Sequence, residues 1–262
     1  MSKTNYHTHH YLCGHASGDS FDYIKEAIKN GFSEIGMSDH GPLPIIPPTG
    51  RMNHYEFRNI YLKEIDKAIE LYGDRIRILK SLEIEFVSGH EEYYKNLLEE
   101  LDYLVLGTHY FDYNEGNDIY SAFNITEKDE LVKYTNLIVE ALNTKCFKIL
   151  AHPDLFLLGY KEMDSLALEC SKKIINAAIE NNVAIEFNAN GIRKGKRLNS
   201  DGTYDYSYPN KLFWDVAKEM NPKVIIGSDC HNPEELNDYA FKEAERLAKE
   251  YNLKLIEKID EI

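Results

Sequence analysis

Seven short apolar runs alternate with seven longer segments of helical periodicity, and this alternation limits the folds open to the 262-residue chain. The runs fall at 3–8, 34–38, 77–85, 103–107, 148–151, 184–188 and 223–227 and have the length of strands. The segments 21–30, 57–72, 91–101, 127–142, 165–181, 210–220 and 233–251 repeat apolar residues every three or four positions. Phe21, Ile24, Ala27 and Ile28 share one helical face, as do Ile60, Tyr61, Ile65, Ala68, Ile69 and Tyr72. A strand–helix unit repeated about seven times predicts a parallel sheet, either an open doubly wound one or a closed barrel. The length suits one large domain, so residues 1–262 read as a single unit. The stretch 41–53 holds Pro42, Pro44, Pro47, Pro48 and Gly50 and reads as a rigid flap over the site rather than a linker.

The histidines choose between the two sheets. Seven of the ten, His7, His9, His15, His40, His109, His152 and His231, stand at or just beyond the expected strand ends. Asp229 belongs to the last group, and Glu83 lies near the end of the run 77–85. A closed barrel brings all its C-terminal strand ends to one face, whereas an open sheet gathers only those near its switch point. The expected fold is therefore α/β, a distorted seven-stranded (β/α)7 TIM-like barrel with its site at the C-terminal ends of the strands.

Imidazole and carboxylate groups are the natural ligands of zinc, iron and manganese. His7 and His9 are two apart on a strand and point to one face, so together they can chelate one ion. Glu83 has two carboxylate oxygens and can bridge two ions. Asp229 and His231 share the same spacing, but beyond a strand end they can turn toward different ions. One histidine at a strand end is ordinarily solvated or hydrogen-bonded; five ends that carry them, with two carboxylates, point to more than one metal ion. Asp39, Glu85 and Asp154 each lie within two residues of a candidate ligand and are expected to orient it. His10, His54 and His90 fit no such pattern and read as structural, although His10 is near enough in sequence to enter the pocket.

Lys plus Arg is 30 and Asp plus Glu is 44, a net charge of -14. No basic stripe is visible, which argues against long nucleic acid as a partner, and the acid excess argues against a membrane. A small anion remains compatible, because bound cations would dominate the local field. The chain shows no apolar signal region and no run long enough to span a bilayer. Cys13, Cys146, Cys170 and Cys230 lack zinc-ribbon spacing and read as reduced packing residues of a cytoplasmic protein.

The ordered motifs are similar to those of the PHP (polymerase and histidinol phosphatase) superfamily, and closest to its histidinol-phosphate phosphatases. They are His7-Thr-His9, Cys13-Gly-His15, Ser38-Asp-His40, Leu82-Glu83-Ile-Glu85, Gly107-Thr-His109, Ala151-His152-Pro-Asp154, Asn188-Ala-Asn190-Gly-Ile-Arg193 and Gly227-Ser-Asp229-Cys-His231. The resemblance implies a seven-unit barrel and a trinuclear site. It places one ion on His7, His9, Glu83 and Asp229, a second on Glu83, His109 and His152, and a third on His15, His40 and His231. It also implies hydrolysis of a phosphate monoester, with zinc, iron or manganese as the metals.

In such a site a metal-bridging hydroxide attacks phosphorus in line, so Glu83 and Asp229 count as catalytic residues. Arg193 is the first candidate for a phosphate clamp, since a guanidinium matches phosphate oxygens; Arg51 and Arg197 are the alternatives. Lys194 is expected to point elsewhere. The run Leu155-Phe-Leu-Leu-Gly159-Tyr160 departs from the family pattern in carrying no basic residue before Lys161. Tyr110, Phe111 and Glu115 follow a ligand strand and are expected to line the pocket. The leading expectation is L-histidinol-phosphate phosphatase. Phosphatase action on nucleotides, oligonucleotides or phosphotyrosine, and a non-catalytic metal-binding module, are the alternatives.

Overall fold

Seven strands pair in chain order, and every pairing is parallel. They are β1 (Thr4–Asn5), β2 (Glu34–Met37), β3 (Arg77–Ile84), β4 (Tyr103–Leu106), β5 (Ile149–Leu150), β6 (Ala184–Asn188) and β7 (Val224–Gly227). The computed structural model describes residues 3–45, 50–112, 119–198 and 204–262. Beyond β1 and β7 the sheet meets itself: Thr8 and Cys230 form a parallel bridge. There the His9 N–H donates to the Cys230 carbonyl at 3.0 Å, and the Asp229 N–H to the His7 carbonyl at 3.0 Å. The strands thus close as a TIM-like barrel fold requires, although β1 and β5 are shorter than the runs 3–8 and 148–151.

One helix of seven residues or more follows each strand: α1 (Ser20–Lys29), α2 (Leu62–Tyr72), α3 (Glu91–Leu97), α4 (Lys128–Asn143), α5 (Ser165–Glu180), α6 (Lys211–Met220) and α7 (Tyr239–Glu250). Helical structure before α2 starts at His54, where Asn53 and Glu56 form a capping box, and passes through a π-helical turn, Phe57–Tyr61. The segment expected as one helix at 233–251 splits into the turn Pro233–Asn237 and α7, because the Asp238 side chain caps α7 by accepting from Ala240 and Phe241 N–H groups.

Alternation along the strands builds two apolar layers. Outward residues such as Ile84, Leu104, Leu106, Ile185 and Phe187 join the main core with the helices. Inward residues Leu79, Tyr103, Val105, Ile149, Ala184 and Ile225 fill the barrel floor, where Ile256, Ile259 and Ile262 of the C-terminal tail join them. Toward the C-terminal ends the same inward rows turn polar. Leu79 gives way to Ser81 and Glu83 along β3, and Ala184 to Glu186 and Asn188 along β6. The apolar floor fixes the barrel, and the polar rim above it is free for chemistry.

Two antiparallel hairpins on the rim lay outside the expected elements: Tyr110–Phe111 with Tyr120–Ser121, and Lys196–Leu198 with Tyr204–Tyr206. In the flap 41–53, residues 46–49 lie outside the described residues; Leu43 and Met52 are buried, and Arg51 turns toward the site. Among the described residues no helix is long and apolar enough to cross a membrane.

Candidate metal centre

Glu83 lies at the centre of the rim, 1 % exposed, with five imidazoles around its carboxylate. Its Oε2 lies 3.3 Å from His7 Nε2, 3.6 Å from His9 Nε2 and 3.1 Å from His40 Nδ1. Its Oε1 lies 3.0 Å from His152 Nε2 and 3.5 Å from His109 Nε2. The two oxygens therefore face two different sets of imidazoles. Gly107 makes this possible, since a Cβ there would stand 2.3 Å from Glu83 Oε1.

Asp229 closes the other side. Its Oδ1 is 2.9 Å from His9 Nε2, 3.8 Å from His7 Nε2 and 3.7 Å from His231 Nδ1. The rings of His9 and His231 stack at 4.0 Å between centroids, and His15 lies 5.0 Å from His231 and 5.3 Å from His40. His152 and Asp229 have φ values of 29° and 46°, left-handed backbone that costs about 1–3 kcal/mol per residue. Backbone strain held beyond two strand ends of one rim is typical of a functional site.

The donor set fits metal ions. His7 Nε2, His40 Nδ1 and Glu83 Oε2 are buried, make no well-formed hydrogen bond and crowd the same space. Leaving such lone pairs unsatisfied is costly unless a cation takes them. Among the described residues four sets of donor atoms lie within 4.8 Å of one another: His7, His9 and Asp229; His9, His40 and His231; His40, Glu83 and His109; and His9, Cys13 and Asp39. Burial works to raise the Glu83 carboxyl, but the imidazoles of His109, His7 and His40 outweigh it and hold it well below the usual carboxylate range. Asp229 is lowered in the same way by His7 and His9. Burial pushes His109 and His231 down to about 3, which keeps them neutral with free lone pairs.

Surrounding groups orient the imidazoles. Asp39 Oδ1 is 3.3 Å from His9 Nδ1, and Glu85 Oε1 is 3.0 Å from His109 Nδ1, so each meets a candidate ligand from another strand end rather than its neighbour in sequence. Asp154 does otherwise. It accepts from the Asn210 N–H at 2.5 Å and from Trp214 Nε1 at 3.1 Å, so it anchors the start of α6 rather than a ligand ring. Burial pushes its carboxyl up to about 7. Glu186, which the motif reading passed over, meets His7 Nδ1 at 2.7 Å. The available signal was a charged residue in the inward row of an otherwise apolar strand. Asn188 and Asn190 donate to Asp229 Oδ2 at 3.0 and 3.2 Å. His10 is buried against Glu64, 2.8 Å away, and does not line the cavity. His54 packs edge-on to Tyr93, and His90 bonds the Ser88 carbonyl. Cys13 borders the cavity, with its sulfur donating to the His10 carbonyl at 3.1 Å; Cys230 is fully buried.

A cavity of about 580 Å³ opens over the cluster, walled by Arg51, Tyr110, Phe123, Leu155, Lys194 and Tyr208. The expected phosphate clamp needs correction here. Arg193 is turned away: its Nε donates to Asp238 at 2.8 Å, and its remaining nitrogens to the Ser228 and Glu235 carbonyls at 2.6 and 2.8 Å. Lys194 faces the cavity instead, donating to the Tyr208 hydroxyl at 2.7 Å. Burial lowers its pKa. Arg51 lines the cavity but is paired with Glu85, and Arg197 is exposed on the second hairpin. Phe111 is buried against Tyr120 and Tyr134, so only Tyr110 of that pair reaches the cavity. Glu115 lies outside the described residues.

Closed parallel strands and a carboxylate ringed by imidazoles define an α/β barrel built to bind metal. The chain belongs to the PHP domain family, whose model matches residues 5–190. It is 26 % identical over 248 residues to a protein of Deinococcus radiodurans named "Probable histidinol-phosphatase", covering 91 % of this chain and 89 % of that one. It is also 26 % identical to the histidinol-phosphatase of Bacillus subtilis over 272 residues, covering 92 % and 98 %. The crystal structure of histidinol phosphate phosphatase from Lactococcus lactis, complexed with zinc, L-histidinol and phosphate, superposes with a TM-score of 0.74. It shares 17 % identity over 97 % of this chain and 95 % of the other, a likeness of fold.

Proposed function

We propose that this chain is a metal-dependent phosphate monoester hydrolase whose first substrate is L-histidinol phosphate, working in the cytoplasm. The observation that carries the reading is the Glu83 carboxylate, whose two oxygens face separate imidazole sets. In this reading His7, His9, Glu83 and Asp229 hold one ion, Glu83, His109 and His152 a second, and His15, His40 and His231 a third. Zinc, iron and manganese all suit these donors. Such ions, when bound, supply a water-derived nucleophile at neutral pH and neutralise phosphoryl charge.

The chain's own residues do the rest. Glu83 and Asp229 stay ionised among the imidazoles and provide the negative charge that divalent cations need. Lys194 reaches into the cavity beside Tyr208 and is placed to meet a phosphate oxygen. Tyr110, Phe123 and Tyr208 offer flat apolar walls to a planar leaving group such as an imidazole ring. The same walls favour a second reading, an aryl phosphate such as phosphotyrosine. The four cysteines are free and buried, in keeping with a reducing compartment.

Turnover of metal-reconstituted protein on a panel of phosphate monoesters tests the reading. Histidinol phosphate should give the highest kcat/KM. Better turnover of an aryl phosphate would favour the second reading, and no turnover of any monoester would leave a metal-binding module. Elemental analysis of reconstituted protein should find about three ions per chain, from the nine ligands above; a chain that takes up at most one would sink the trinuclear assignment. Lys194→Ala should raise KM, because a charge-assisted contact is worth roughly 1.5–3 kcal/mol, tenfold or more in kcat/KM. Unchanged kinetics would remove Lys194 from substrate recognition.

A further inference from the structure

We propose that Glu186 is a positioning residue that holds ligands of two different metal ions in register. The inference rests on the trinuclear reading above. Glu186 sits on the inward row of β6 and is 1 % exposed. Its Oε1 is 2.7 Å from His7 Nδ1. Its Oε2 accepts from the backbone N–H of His152 at 3.2 Å and from Asn188 Nδ2 at 2.8 Å. The same Asn188 amide donates to Asp229 Oδ2 at 3.0 Å. One carboxylate therefore touches His7 directly, fixes the backbone of His152, and reaches Asp229 through a single amide. Among the described residues none of its hydrogen bonds goes to His15, His40 or His231.

The chemistry of each contact gives it a job. A carboxylate only accepts, so His7 Nδ1 must carry the proton. The other ring nitrogen, Nε2, is then left with its lone pair on the side of Glu83 and Asp229, where an ion would sit. A carboxylate partner also raises the basicity of a ligating imidazole. His152 has a φ of 29°, a conformation that L residues rarely adopt, and its N–H is tied to Glu186 in that state. The position is built to hold this carboxylate. A Cβ on Gly227, the last residue of β7, would lie 1.6 Å from Glu186 Oε1, so only glycine leaves the space.

Competitive zinc titration against a chelator, followed by elemental analysis, tests the assignment on the full chain. Glu186→Gln keeps the shape but brings an amide nitrogen where two donors already point. It should weaken two of the three ions by roughly tenfold or more, with the third unchanged. Gly227→Ala leaves Glu186 in the sequence but takes its space, and should weaken the same two. The metal-dependent rise in Tm should shrink in both variants. If wild type takes up three ions and the variants titrate like it, the role assigned to Glu186 is wrong. Equal weakening of all three ions, with an equal fall in the Tm of the metal-free protein, would show a merely structural residue. A wild-type chain that binds at most one ion would overturn the trinuclear reading and this inference together.

Discussion

Glu83→Ala should lower kcat for phosphate monoester hydrolysis by roughly a thousandfold or more, whereas His15→Ala should leave much of it. Among the described residues Glu83 is the one side chain whose two oxygens face both sets of imidazoles, at 3.1 Å from His40 and 3.0 Å from His152. Its loss would leave His7, His9, His40, His109 and His152 crowded together without the central negative charge, so two ions lose a shared ligand. Metal ions contribute several kcal/mol of charge stabilisation in such reactions, and about 4 kcal/mol corresponds to a thousandfold in rate. His15 is exposed at the edge of the cluster and, in the proposed assignment, serves the third ion alone. Steady-state rates on one monoester, with metal content measured alongside, decide the matter. Equal losses in two variants with native circular dichroism would count against a bridging Glu83.

The second large effect is on stability. Arg193→Ala should destabilise the fold by about 3 kcal/mol, the lower end of what removing one partner of a buried pair costs. The guanidinium side chain is 10 % exposed and bonds Asp238, the Ser228 carbonyl and hydroxyl, and the Glu235 carbonyl. It braces the loop that carries Asp229 and His231. For a domain of this size the expected fall in Tm is roughly 6–12 °C. Thermal melting in the presence of excess metal, compared with wild type, measures it. An unchanged Tm together with a raised KM would return Arg193 to the phosphate.

That reversal between neighbours shows where sequence reasoning stops. Arg193 ends a short helix, Ala189–Arg193, and Lys194 follows it; adjacent residues there differ by roughly 100° in direction. Composition and motif order carry no information about that rotation, which depends on how the helix packs against α7. The barrel was legible because its signal is periodic and long: two-residue alternation within strands, and helical spacing between them. Glu83 was legible because strand alternation puts it on the inward row with Leu79 and Ser81. Glu186 obeys the same alternation from Ala184, so its inward direction was available, but its contact with His7 lies between strands far apart in the sequence. Asp154 marks the opposite error. It is two residues from His152, yet the left-handed turn at His152 sends the two side chains to different partners. The rim hairpins were hidden because strands this short carry too few residues for alternation to register.

Closure of the barrel through Thr8 and Cys230 has a consequence for the order of events during synthesis. His7 and His9 are synthesised long before Asp229 and His231, with the barrel strands β2 to β7 between them. Domains with such distant contacts fold slowly, since a long loop must close before the pairing rewards it. The first proposed ion has ligands on both sides of this seam, so its complete site exists only once the last strand has docked. A chain made only as far as β6 carries six of the seven candidate ligand imidazoles and Glu83, without the strand that brings Asp229 and His231 to them. Capture of that ion is therefore tied to ring closure, and a chain stalled before β7 would hold the early histidines exposed to whatever metal the surroundings offer.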